Sequence, residues 1–376
     1  MAAPERLLAL DVFRGLTIAG MVLVNNPGSW AAIYSQLRHA EWHGWTLTDT
    51  VCPFFLVIVG MAIPMALGRR AGEGAAGLEV HLKIARRTVL LFALGLWLNA
   101  FPFHNGLTGV WVTAGDIRIM GVLQRIALCY AACALIFLHL RDARAQGLVA
   151  AACCILYAVA MTLGGDLTPQ GNLSGAIDRA ILTPAHVWKG SEGVYDPEGL
   201  FSTLPAIATT LIGVLAGRWL TGSRPMAETV AGLAVWGFGL LALGWAWGQV
   251  MPINKPLWTP SYALFMGGMA LLVLSLCLWV IDVRGVRGWT WPFVVFGMNA
   301  LALYVGSSMM ARWLAWTPAG LNAAGEPMAL KTLIHQSLFA GLGPPEFASL
   351  LFALAYLALW LGLMAILWAR RIYIRL

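Results

Sequence analysis

The chain has 376 residues, of which 60% are hydrophobic and 11% charged, and a net charge of +7. Soluble domains carry roughly a quarter charged residues, so the composition argues against a water-soluble fold and for a bilayer as solvent. The positive charge does not mark a nucleic-acid binder, because most basic residues sit in short loops between apolar runs, where they report membrane orientation.

Hydropathy predicts ten spans, at 7–25, 47–68, 88–103, 119–140, 147–164, 202–220, 228–248, 260–281, 290–312 and 346–369. Each is about the length that crosses the hydrocarbon core. The first lacks a small-residue cleavage site and reads as a retained helix, not a signal peptide. With the N-terminus inside, sixteen of the 24 Lys and Arg fall on the cytoplasmic side and seven outside, with Arg125 left within the fourth span. That asymmetry predicts N-in and C-in. The fold class expected is therefore an all-α, polytopic integral membrane protein. No internal repeat is evident, so residues 1–376 are expected to form one unit. The six cysteines lie in or beside apolar segments and read as packing residues.

In the first span Asp11 and Arg14 lie three residues apart, on one helix face. Arg14 reads either as half of a structural ion pair or as a positive site for an anion entering from the cytoplasm. The longest loops, 26–46, 165–201 and 313–345, are external on this topology. His39, His43, His104, His186 and His335 fall outside, and His81 and His139 inside.

The loop after the first span carries Asn25 at its start and Arg38-His-Ala-Glu-Trp-His-Gly-Trp-Thr46 further on. His39 and His43 have no Glu between them as in the metalloprotease pattern, so no metal is expected. A histidine beside an asparagine suits acyl transfer better, since imidazole takes a proton near neutral pH and an amide can hold an oxyanion. Thr46 or Thr48 can cap the second span, which opens near Asp49. In the fourth span Arg118 and Arg125 are expected on one helix face, two turns apart, with Gln124 beside the second. An arginine facing lipid would cost several kcal/mol. Arg125 therefore reads as lining a ligand site, or as bridged to Asp11 or Asp49.

Leu10-Asp-Val-Phe-Arg-Gly15, the His39 to Asp49 stretch, Arg118-Ile-Met-Gly-Val-Leu-Gln-Arg125, Asp196-Pro-Glu-Gly199, Asn254-Lys255 and Gly297-Met-Asn299 occur in that order. Together they resemble the heparan-α-glucosaminide N-acetyltransferase family of membrane acetyltransferases, over nearly the whole chain. The resemblance implies acetyl transfer from cytosolic acetyl-CoA, as co-substrate, to an amino sugar across the bilayer. It implies His39 as the catalytic histidine, acting as general base or acetyl acceptor, and Asn25 as its partner. Arg14, Arg118, Gln124 and Arg125 are expected toward the donor, and His43, Asp49, Asp196, Glu198, Lys255 and Asn299 toward the acceptor.

Where the lysosomal enzyme has asparagine this chain has His43, and that enzyme's luminal N-terminal region and extra helix are expected to have no counterpart here. The stretch between Asn25 and His39 is also longer. An amino-sugar or glycan acceptor, a bacterial inner membrane and a homodimer are the expected setting, with Lys83, Arg86 and Arg87 as surface candidates for the donor phosphates. The rival reading is a transporter moving an anionic metabolite past the same arginines. It has no inverted repeat in its favour and no use for an outer His/Asn pair.

Overall fold

A computed structural model describes residues 7–72, 77–322 and 325–374. Those residues form a helical bundle with only two short β-hairpins, His104–Asn105 with Val110–Trp111 and Pro318–Leu321 with Pro327–Ala329. The helices are α1 Leu8–Asn25, α2 Val51–Gly72, α3 Leu78–Ala100, α4 Val122–His139, α5 Ala143–Leu163, α6 Leu173–Leu182 and α7 Thr203–Leu220. They continue with α8 Met226–Trp247, α9 Pro260–Leu278, α10 Trp291–Met298, α11 Ala300–Trp316, α12 Leu330–Leu338 and α13 Pro345–Ala369.

Among the described residues eight helices are long and apolar enough to cross a membrane, or nine if the bent pair α10 and α11 is one span. The chain is therefore a polytopic integral membrane protein, as its composition requires. Of the ten expected spans, that at 88–103 falls in α3, which is 23 residues long but carries Glu79, Lys83, Arg86 and Arg87 in its first half.

Local chemistry sets several helix ends. Asp142 accepts a hydrogen bond from Ala145 N at 3.2 Å to cap α5, and Asn172 accepts one from Gly175 N at 2.6 Å to cap α6. Proline occupies the first turn of α9, α10 and α13, where its missing N–H costs nothing. Between α2 and α7 the backbones meet directly. A Cβ on Gly60 would collide with the Thr210 carbonyl, and one on Gly213 with that of Val57. Such small-residue seams let helices associate in a bilayer, where apolar burial gives no driving force between them.

Two expectations are corrected. The fourth span begins at Val122, not 119, so Arg118 is not on a helix face shared with Arg125. Ile117 leaves the short turn Ala114–Asp116 in an extended conformation, and the Arg118 carbonyl accepts from the Asn99 amide at 2.8 Å instead of joining a helical ladder. The span expected at 290–312 is broken, α10 and α11 meeting at 83°. Asn299 at the break has non-helical dihedrals, φ −123° and ψ 35°. Its side chain bonds the backbone of a different segment, accepting from Ile374 N at 2.9 Å and donating to Ile372 O at 3.1 Å.

The loops after α1, α3, α8 and α11 gather at one end of the bundle, where Trp42 meets Asn254 and Leu98 meets Arg312. The long connections pack there, with Asn26, Asp49 and Asn254 buried among them.

Candidate active site

His39 lies in the loop between α1 and α2, at the end where the long connections gather. Its Nδ1 is 2.6 Å from Oδ1 of Asp49. The Asp49 side chain is 1% exposed, and its other oxygen accepts from Ala40 N at 3.1 Å and Thr46 N at 3.0 Å. Thr46 and Asp49 form a capping box at the start of the helical turn that leads into α2. The Tyr262 hydroxyl donates to the Asp49 carbonyl at 2.6 Å, fixing the same turn from α9. A carboxylate only accepts, so Nδ1 is the protonated nitrogen and Nε2 keeps its lone pair. The His39 side chain is 47% exposed.

The next layer comes from the loop between α8 and α9. Asn254 is fully buried and donates to the Trp42 carbonyl at 2.8 Å, with His43 Nδ1 3.3 Å from the same amide nitrogen. Gly44 N donates to Ile253 O at 2.7 Å. The loop holding His39 and His43 is thus pinned to a second connection 200 residues away in sequence. Partial desolvation lowers the His43 pKa. Lys255, beside Asn254, lies near enough for its charge to act on both Asp49 and Glu198.

Asp196 and Glu198 form a separate polar knot. Arg118 donates from Nε to Asp196 Oδ2 at 2.8 Å and from Nη2 to Asp196 Oδ1 and Glu198 Oε2. Both carboxylates are buried. Burial alone would raise the Glu198 pKa, but the Arg118, Lys255 and Arg125 charges outweigh it and hold the group at about 2. Arg125, with no exposed surface, donates to Pro197 O at 3.0 Å, Gly199 O at 2.9 Å and the Ser202 hydroxyl. Its guanidinium stands 4.9 Å from the Trp258 ring centroid. Its partners are this loop's carbonyls rather than Asp11 or Asp49. Asp178 in α6 supports the loop, accepting from Leu200 N at 2.8 Å.

A cavity of about 320 Å³ opens between α1, α2, α3, α4 and α11, with Arg14, Arg87, Ile126, Gly297, Tyr304 and Ile374 among its lining residues. Arg14 reaches it because α1 and α10 touch. A Cβ on Gly15 would collide with the Phe293 carbonyl, and one on Gly297 with that of Asp11. Arg14 pairs with Asp11 at 3.6 Å. Arg87 lies 4.6 Å from the Tyr130 ring centroid, and its Nε is buried without a hydrogen-bond partner. Tyr304 of α11 lines the cavity together with residues of α2 and α3.

The remaining expected residues divide. Gln124 is buried beside Gly95 and Gly121, and its amide nitrogen has no hydrogen-bond partner. Asn25 ends α1 in an exposed position, whereas Asn26 is buried and donates to Val22 O at 2.7 Å. Asn299 holds the C-terminal segment that brings Ile374 to the cavity. Two contributors were not singled out from sequence, Tyr262 and Asn99. Their signal was a polar group set in or beside an apolar helix.

The arrangement has two chemical capacities. An imidazole of fixed tautomer can accept a proton at Nε2. A cavity with two guanidinium groups in its wall suits a phosphate-bearing ligand. Among the described residues no group of three or more His, Cys, Asp or Glu is placed to hold a metal ion.

A bundle of long apolar helices with these two features at different depths is an integral membrane protein built around a polar site. Residues 6–242 match the family model described as heparan-alpha-glucosaminide N-acetyltransferase, catalytic, and the chain belongs to that family. It is 28% identical to the heparan-alpha-glucosaminide N-acetyltransferases of Homo sapiens and Mus musculus, the matches covering 83% of this chain. They cover 54% and 55% of those proteins, so the chain spans about half the length of the relatives it matches.

Proposed function

We propose that this protein is a transmembrane N-acetyltransferase that takes acetyl from acetyl-CoA on the cytoplasmic side and delivers it to the amine of an amino sugar outside. The observation that carries the reading is the His39–Asp49 pair, at the position that the family resemblance assigns to the catalytic histidine. Asp49 orients the ring and offsets the charge that develops on it, while Nε2 takes the proton of the attacking amine. The nitrogen bonds to the acetyl carbon, the carbon–sulfur bond breaks, and coenzyme A leaves as thiolate toward the cytoplasm. Asn25 is assigned to the oxyanion, and Lys255 with His43 to the acceptor.

The donor phosphates are assigned to Arg14 and Arg87, whose guanidinium groups stand in the wall of the 320 Å³ cavity. Coenzyme A carries its thioester at the end of a long arm, for which the cavity wall of Ile126 and Tyr304 offers a path. A bacterial inner membrane, with N- and C-termini inside, is the proposed setting. Direct transfer is favoured over an acetyl-histidine intermediate because coenzyme A need not leave before the acceptor binds.

Purified protein in detergent, given labelled acetyl-CoA and a panel of amino sugars, tests the reading. Label transferred to an amino sugar, and lost in the His39→Ala variant, is the expected result. Transport of an anionic metabolite by reconstituted protein, with no acetyl transfer to any acceptor, would overturn it.

A further inference from the structure

At the end of the bundle opposite His39, two histidines from different helices meet. His81 lies in the first turn of α3 and His139 is the last residue of α4. Their Nε2 atoms are 3.1 Å apart and their ring centroids 5.3 Å apart. Both rings sit at the surface, and neither belongs to the site described above.

The second nitrogen of His81 decides what the pair can do. Nδ1 of His81 is 3.2 Å from the Gly77 carbonyl. A carbonyl only accepts, so that Nδ1 carries the proton and His81 Nε2 presents a lone pair to His139. A backbone carbonyl on the far nitrogen is the outer contact that fixes tautomer and ring orientation in metal-binding histidines.

The spacing also fits. Zinc–nitrogen bonds of about 2.0–2.1 Å in tetrahedral geometry place two nitrogens about 3.4 Å apart, against 3.1 Å here. An ion entering between the rings displaces the shared proton, which moves to Nδ1 of His139, so both ligands stay neutral.

We propose that His81 and His139 form a binding site for a divalent transition metal ion, zinc or a metal of similar preference, at the surface of the bundle. The two imidazoles supply two ligands and water completes the shell, since the described residues offer no third metal-binding side chain there. The ion ties the start of α3 to the end of α4. Those helices wall the cavity, α3 through Arg87 and Leu91 and α4 through Leu123 and Ile126. A metal bound here therefore braces two walls of the cavity from outside it. The site stands on its own geometry and does not rest on the acetyl-transfer reading.

Titration of zinc into the purified protein in detergent, followed by calorimetry, tests it. The wild type is expected to bind one ion at this pair, and its melting temperature to rise with zinc, as ligands that bind only the folded state require. His81→Ala and His139→Gln should each lose about tenfold or more in affinity, the scale seen on removing even an outer contact of a metal site. A His43→Ala control should bind as the wild type does. Equal melting temperatures of all variants without zinc would show that the loss is not unfolding. Absence of zinc binding by the wild type, or unchanged affinity in both pair variants, would overturn the proposal. Neither result would bear on acetyl transfer.

Discussion

The Nδ1 of His39 sits 2.6 Å from the Oδ1 of Asp49, and that carboxylate is sealed beneath the loop with only 1% of its side chain exposed. The two residues are held by different means. Asp49 is fixed by backbone N–H groups of Ala40 and Thr46 and by the hydroxyl of Tyr262 on its own carbonyl. Among the described residues the His39 ring has one hydrogen-bond partner, Asp49. Turning the ring away would leave a buried carboxylate short of a partner, at a cost of about 1–3 kcal/mol or more. Proton uptake is thereby confined to one nitrogen, on the exposed side.

His39→Ala is expected to lower acetyl transfer by about 10²–10⁴, the usual worth of a general base, while acetyl-CoA binding persists. Asp49→Asn keeps the shape but offers the ring an amide, so tautomer and orientation are no longer enforced, and turnover should fall nearly as far. His43→Ala should do less, since His43 contacts Asn254 and not Asp49. Turnover and donor affinity measured in parallel check all three. Near-normal turnover in His39→Ala alongside a dead His43→Ala would move the base to His43.

Arg118→Ala is expected to act on stability. Arg118 holds Asp196 through two nitrogens and Glu198 through one, and both acids are buried. Removing one partner of a buried pair costs about 3–5 kcal/mol because it strands a charge. A thermal melt in detergent should show a marked drop. A variant that melts like the wild type but binds acetyl-CoA weakly would return Arg118 to the donor site.

The membrane architecture was legible because apolar length is a global property, insensitive to local error. The break at Asn299 was not, because its cause lies in Ile372 and Ile374, more than 70 residues further along the chain. Arg118 and Arg125 were legible as polar and costly in a membrane, but not as partners of one loop at 196–202. Spacing along a helix says nothing of a segment that folds back from another part of the chain. His39 and Asp49 were both singled out, yet their mutual contact depends on the turn at Thr46. A cap residue was visible there, but not the direction of its loop.

Asp178 offers a pH-dependent prediction. Burial first, and the nearby Asp196 charge, raise its pKa from 3.8 to about 6, against the opposing hydrogen bond from Leu200. The folded state thus holds this proton more tightly than the unfolded chain. The stabilisation is fully present below pH 3.8 and is lost as pH rises through about 6. The difference is worth about 2–3 kcal/mol. Asp178→Asn removes a titrating group whose Oδ2 has no hydrogen-bond partner. Melting temperature should therefore vary less between pH 4 and pH 7 in Asp178→Asn than in the wild type. Parallel curves for the two proteins would count against it.

Orientation can be read by thiol labelling. All six native cysteines are buried, so background reaction is low. Lys189 and Ser223 are both exposed, in loops before α7 and after it. An impermeant maleimide should label Lys189→Cys in intact cells and Ser223→Cys only after lysis. The reverse pattern would invert the membrane orientation and put His39 on the donor's side.

The donor prediction separates arginines that line the cavity from arginines that hold the fold. Arg14 and Arg87 stand in the cavity wall, whereas Arg125 is spent on Pro197, Gly199 and Ser202. Arg14→Ala and Arg87→Ala should each weaken acetyl-CoA binding by about tenfold or more, since a charge-assisted hydrogen bond is worth about 1.5–3 kcal/mol. Adenosine 3′,5′-bisphosphate carries part of the donor's charge without its arm. It should compete with acetyl-CoA in the wild type and lose that ability in the variants. Arg125→Ala should lower the melting temperature instead, by freeing three acceptors in the loop at 196–202. If Arg14→Ala and Arg87→Ala bound the donor as the wild type does, the cavity would have to be given up as its site.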